Sequence, residues 1–156
     1  MQKDSEYFRA NVGAVIVDSQ GRALAFERLH ASDGEWQFPQ GGIAPGEDPE
    51  AALFREVLEE TSIPASKLQL IDEVEEWLGY ELPKDFRNAK TERGQVQKWF
   101  LLRFLGEESD ILADQKELSS WKWLTANELI DASAPFRRAV YKRVCTRFAA
   151  AIKAAP

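Results

Sequence analysis

Three glutamates, Glu56, Glu59 and Glu60, stand at i, i+3 and i+4 of a segment with helical periodicity. That spacing gathers three carboxylates on one helix face. Like charges so close repel one another, and Arg55 lies one residue off the face, unable to neutralise the cluster alone. A hard divalent cation resolves the repulsion, because Mg2+ takes oxygen ligands in an octahedral shell and bridges to phosphate oxygens. Glu47, in the loop ahead, can approach from the side. Taken alone, the cluster is better read as a solvated acidic face. Its surroundings reverse that reading.

The carboxylates need a helix, and the sequence supplies its punctuation. Asp48 can cap it, Pro49 suits the first helical position, and Glu50 favours the positive dipole end. Phe54, Val57, Leu58 and Thr61 recur at helical spacing as a core face, and Pro64 stops the helix. Upstream, Asn11–Asp18 and Arg22–Arg28 form a predicted hairpin about the turn Ser19-Gln20-Gly21. Trp36–Gly42 (WQFPQGG) alternates apolar and polar residues before a Gly/Pro-rich loop that runs through Gly46.

Downstream, Leu68–Tyr80 and Val96–Leu105 read as strands, the second strongly aromatic and apolar. The charged segment Glu81–Gly94 between them, with Pro83, reads as a loop beside the site. Trp121–Leu124 is a short final strand, Thr125-Ala126-Asn127-Glu128 has capping-box spacing, and Phe136–Ile152 is a C-terminal helix. The pattern predicts an α/β fold with a mixed sheet between helices.

The 156 residues fit one domain, expected to span 1–156. Hydrophobic residues make up 44% and charged residues 29%, an ordinary globular balance. A net charge of −6 argues against non-specific polyanion binding but allows a local basic cleft. Cys145 is the one cysteine, so no intrachain disulfide forms. The polar Met1–Ala10 is unlike a signal peptide, and no apolar run approaches the roughly 20 residues of a membrane span. No membrane partner and a cytoplasmic location are the default expectations. With one His and one Cys in unrelated segments, no Ser/His/Asp or Cys/His system is available. His30, in a loop, is expected to be neither ligand nor base.

The full pattern is Gly41, five residues, Glu47, seven residues, then Arg55-Glu56-Val57-Leu58-Glu59-Glu60-Thr61-Ser62-Ile63. It resembles the Nudix box, G-x5-E-x7-R-E-U-x-E-E-x-G-U, at every specified position but one: Ser62 stands where the family has glycine. That glycine ends the helix, so the departure touches the backbone turn rather than the ligands. The resemblance implies a Nudix α/β/α sandwich, with Glu56, Glu59 and Glu60 holding Mg2+ (Mn2+ able to substitute). It also implies that Arg55 orients the glutamates and that Glu47 pairs with Arg55 or anchors the loop. Gly41 and Gly42 would let backbone approach metal and phosphate.

The flanks Tyr7–Val17, Trp36–Gly42, Tyr80–Lys84, Gly94–Leu102, Trp121–Leu124 and Phe136–Val144 are similar to the RNA pyrophosphohydrolase and dinucleoside tetraphosphate hydrolase group. The implied substrates are 5′-triphosphorylated RNA, losing pyrophosphate, and diadenosine polyphosphates, cleaved asymmetrically. Arg28, Lys84 and Lys98 are candidate phosphate cations, and Tyr80 and Phe136 candidate base-stacking faces. Gln40 and Gln97 either bond phosphate or order the site. Glu117, four residues before Trp121, matches a loop glutamate of the group that reaches the metals. Leu118-Ser119-Ser120 then replaces the group's phenylalanine and acidic segment. The base is Glu59, Glu60 or Glu117 on this reading. The rival class is a catalytically silent nucleotide-binding module, which has no need of the full glutamate set retained here.

Overall fold

The computed structural model describes residues 7–29, 35–88 and 92–154. His30 lies outside them. The chain order is β1 (Phe8–Val17), β2 (Ala23–Arg28), β3 (Trp36–Gln37), β4 (Gln40–Gly42), α1 (Pro49–Thr61), β5 (Leu68–Glu73), β6 (Leu78–Glu81), β7 (Gly94–Phe104), β8 (Leu118–Leu124), α2 (Ala126–Ala132) and α3 (Pro135–Ala154).

The sheet is mixed. Its main path runs β3-β2-β1-β7-β5, with β4 on β1, β6 on β7 and β8 on β2. β1 and β7 run parallel from Phe8–Gly94 to Val17–Arg103, and the remaining pairs are antiparallel. The predicted hairpin forms: Gly21 has φ 77°, and Asp18 Oδ1 accepts from the amides of Gln20 and Arg22. β1 and β2 pair at Val17 and Ala23, beside the turn. Farther along β1, β4 pairs with Asn11–Gly13. This pairing sets the half-buried Gly41 and Gly42 against Val12 and Asn11 of β1.

Helices cover both faces, so β1 is buried continuously from Asn11 to Val17. On one face Val15, Val17, Trp99 and Leu101 pack with Tyr141, Val144 and Phe148 of α3. On the other, Ala14, Ile16, Phe100 and Leu102 pack with Ala52, Leu53 and Val57 of α1.

Two expectations need correction. Leu58 does not belong to the core face of α1, being 50% exposed; the buried face is Ala52, Leu53, Val57, Glu60 and Thr61. The sheet meets α1 along Leu53–Val57–Thr61, and this orientation turns Glu60 inward. The single strand expected over Leu68–Tyr80 is two, β5 and β6, broken between Glu73 and Leu78. Both pair with β7, which is long enough to hold them end to end.

Candidate active site

The helix that carries the glutamates is capped as its sequence predicts. Asp48 Oδ2 accepts from the amides of Glu50 and Ala51 at 3.1 and 3.3 Å. At the other end Ser62 takes the left-handed conformation, φ 66°, and its amide donates to Leu58 O. The departure from glycine therefore leaves the turn intact. Ser62 Oγ donates to Leu112 O at 3.3 Å, while Leu112 N donates to Thr61 O, tying the cap to the following loop.

Arg55 is the hub of the acidic cluster. Its Nε and Nη2 donate to both oxygens of Glu47 at 2.8 Å, a fork-to-fork pair. Nη2 also reaches Gly42 O, and Nη1 donates to Glu56 at 2.8 Å and to Glu59 at 3.4 Å. Glu47 in turn accepts from Ala44 N. The hydrogen bond from Arg55 holds the Glu47 carboxyl down at about 2. Glu47 thus braces the loop and Arg55.

Glu60 is 4% exposed and accepts from Gln40 N at 3.3 Å. Burial pushes its carboxyl well above the usual range, and repulsion from Glu56 and Glu117 adds to that. Burial also raises Glu56, against the opposing hydrogen bond from Arg55. Glu59 stays open to solvent, its side chain 59% exposed. Gly41 is required by close approach: a Cβ there would lie 2.0 Å from the Glu56 carboxyl carbon. Among the described residues no three acidic, His or Cys side chains close to the spacing of a finished metal cage. Even so, one buried carboxylate and its acidic neighbours carry more negative charge than Arg55 balances, and an oxygen-seeking divalent cation fits this donor set.

Most of these groups line a cleft of about 670 Å³. Glu56, Glu59, Glu60, Gly41, Arg55 and Glu117 all border it, as do Gln40, Arg28, Tyr80 and Phe136. The same cleft has an aromatic cluster: Phe136 packs against Tyr80 and Phe86 with centroids 5.7 and 5.6 Å apart, and Arg28 lies 6.0 Å from the Phe86 ring.

Three sequence candidates are placed elsewhere. Lys98 does not line the cleft; its Nζ donates to the carbonyls of Val74 and Glu75 at 2.6 and 3.3 Å, bracing the β5–β6 link. Lys84 is exposed in the short 3-10 turn Lys84–Phe86, and Phe86 faces the cleft in its place. Gln97 is fully buried. Its amide nitrogen donates to Asn11 Oδ1 and Gln40 Oε1, and its oxygen accepts from Trp99 Nε1. Of the two alternatives for Gln97, the ordering role is the one its contacts fit.

Sequence reasoning missed Arg9, Lys116, Gln95 and Arg137, all of which border the cleft. Arg137 was discoverable. A basic residue in the first turn of a helix opposes the dipole, so it needs another reason to be there. Here it is buried, lies 4.9 Å from the Phe136 ring and donates to Gln37 Oε1.

An α/β/α sandwich whose glutamate helix follows a glycine strand defines a class of hydrolase. A family model for the NUDIX domain matches residues 7–144, and the chain belongs to the Nudix family, hydrolases of phosphoanhydride bonds. It is 41% identical over 146 residues, 90% of each chain, to a protein of Cereibacter sphaeroides named RNA pyrophosphohydrolase. The fold is similar to that of the E. coli dihydroneopterin triphosphate pyrophosphohydrolase, at TM-score 0.72 and 24% identity over 88% of this chain and 97% of that one. It is also similar to a C. elegans Ap4A hydrolase, at TM-score 0.67 and 22% identity over 91% and 98%. No helix among the described residues is long and apolar enough to cross a membrane.

Proposed function

We propose that this chain removes pyrophosphate from 5′-triphosphorylated RNA, with diadenosine polyphosphates as a second substrate. The observation that carries the reading is the cleft's polarity. A carboxylate cluster and an aromatic cluster line one cavity, and a nucleotide-terminated polyphosphate has a group for each. The 41% identity to a named RNA pyrophosphohydrolase supports the RNA branch. A cytoplasmic setting suits that substrate.

Glu56, Glu59 and Glu60 would hold Mg2+, or Mn2+ in its place. When bound, the ion supplies Lewis-acid charge to phosphate oxygens. Glu47 and Arg55 keep the helix carboxylates in place, and Gln40 N fixes one oxygen of Glu60. A water in line with the anhydride bond gives its proton to a carboxylate as its oxygen bonds to phosphorus, and the P–O bond to the pyrophosphate breaks, the pyrophosphate leaving with the electron pair. Glu117 suits the role of proton acceptor best of the three candidates, because Glu60 is buried and Glu59 lies against Arg55. Arg28 and Phe136 flank the nucleoside in this reading, beside the buried polar groups of Tyr80, Gln95 and Arg137, where Gln95 Oε1 has no partner among the described residues. Stacking on Phe136 positions the base, and those groups are suited to its polar edge.

The deciding measurement is kcat/KM for 5′-triphosphorylated RNA and for diadenosine tetraphosphate at one Mg2+ concentration. A higher value for RNA is expected. A higher value for the dinucleotide would reverse the order of substrates, and binding without turnover of either would make this a silent module.

A further inference from the structure

The loop that delivers Glu117 to the cleft is built around one side chain. Asp114 Oδ1 accepts from three successive amides, Lys116 N at 2.9 Å, Glu117 N at 3.0 Å and Leu118 N at 3.0 Å. On either side the chain is anchored in the core by Ala113 and Leu118. Between these anchors it must reverse sharply. Gln115 takes φ 62°, a costly value for a residue with a Cβ, and its amide closes the turn onto Leu118 O at 2.9 Å. Gln115 Nε2 reaches Ser119 O, and Glu117 O accepts from Leu29 N at 2.8 Å. The strained residue and the residue facing the cleft are thus two apart in one turn, with Asp114 the acceptor common to its amides.

We propose that Asp114 is a positioning residue that fixes the Lys116–Leu118 backbone and so holds the Glu117 carboxylate at the carboxylate cluster of the cleft. The proposal rests on the reading of Glu117 as an active-site carboxylate. Three backbone amides converging on one oxygen make a rigid cradle, whereas the Glu117 carboxylate is exposed and receives no orienting bond among the described residues. Without the cradle the turn relaxes at Gln115, and Glu117 samples positions away from the nucleophile. Misplacement of about 1 Å is enough to cost up to about a hundredfold in rate. The same loop sets Lys116 beside the cleft, so its order also bears on the charge presented to phosphates.

The test compares Asp114→Asn, Asp114→Ser and Asp114→Ala with wild type and with Glu117→Gln, using 5′-triphosphorylated RNA and Mg2+. The Asn variant keeps an acceptor at the same place without the charge. The Ser variant keeps a shorter one, and the Ala variant keeps none. Expected is a fall in kcat from Asn through Ser to Ala, of about tenfold to a hundredfold at the end of the series, with KM little changed. Amide exchange at Lys116–Leu118 in EDTA-treated protein is expected to quicken in the same order. Equal kcat across the series, or an Asn variant as slow as Ala, would overturn the positioning role. If the Ala variant does not fold, the Asn–Ser comparison still supplies the ranking. Full activity in Glu117→Gln would instead remove the reading of Glu117 on which this rests. An inactive Glu117→Gln beside a flat Asp114 series would sink the positioning role alone.

Discussion

Ser62 and Glu60 show how single residues carry opposite debts. The left-handed backbone at Ser62 costs a residue with a Cβ about 1–2 kcal/mol, and glycine's extra freedom in the unfolded chain returns about 0.5–1 of that. Ser62→Gly also removes the solvent-exposed bond from Ser62 Oγ to Leu112 O, so stability in a urea melt is expected to rise by no more than about 0.5–1 kcal/mol, with kcat unchanged. Glu60 has the reverse relation to function. Its folded pKa is raised by burial, so the folded chain binds the proton more tightly than the unfolded chain does. In EDTA this group makes stability grow as pH falls from above its folded pKa toward 4.5, its unfolded value, and adds nothing further below that. Thermal melts of Glu60→Gln in EDTA should lose this slope and exceed wild type at alkaline pH, while turnover with Mg2+ collapses. A Gln variant less stable than wild type at alkaline pH would contradict the account.

At the scale of elements, β4, β7 and α1 form a unit joined through Gln97. Its amide links Trp99 in the core to Asn11 on β1 and Gln40 on β4, and Gln40 N touches Glu60 on α1. Gln97→Leu leaves Asn11 Oδ1 and Trp99 Nε1 buried without partners, at a cost of about 1–3 kcal/mol. A lower melting midpoint with reduced kcat is expected, and a midpoint equal to wild type would refute the network. The strand reading of β7 and the caps of α1 and α2 were legible because they rest on local pattern and turn chemistry. The misread face of α1 was not. Leu58 satisfies helical periodicity as well as Leu53 does, and the sheet alone decides which of them is covered. The β5–β6 break was hidden for a related reason, since the pairing of both strands with β7 is a property of their partner.

For the whole molecule, the cleft's aromatic and carboxylate groups should separate in kinetics. Phe136→Leu keeps an apolar group against Tyr80 and Phe86 but removes the ring face; KM for nucleotide substrates should rise on the order of tenfold, with kcat little changed. Divalent metal should act at the carboxylates. Restoring Mg2+ after EDTA should raise the melting midpoint, by about 2.7 kcal/mol of stability at a hundredfold excess over Kd, and Glu60→Gln should blunt that gain. The glutamate spacing, the helix that bears it and the family were determined by sequence alone, because residues within two helical turns are placed by the helix itself. Which cations face the cleft was decided only by tertiary structure. Lys98 is spent on the carbonyls of Val74 and Glu75, while Arg9, Lys116 and Arg137 border the site from three distant segments. A side chain's direction follows from its own strand or helix, but what it meets there depends on chain that folds against it from far away.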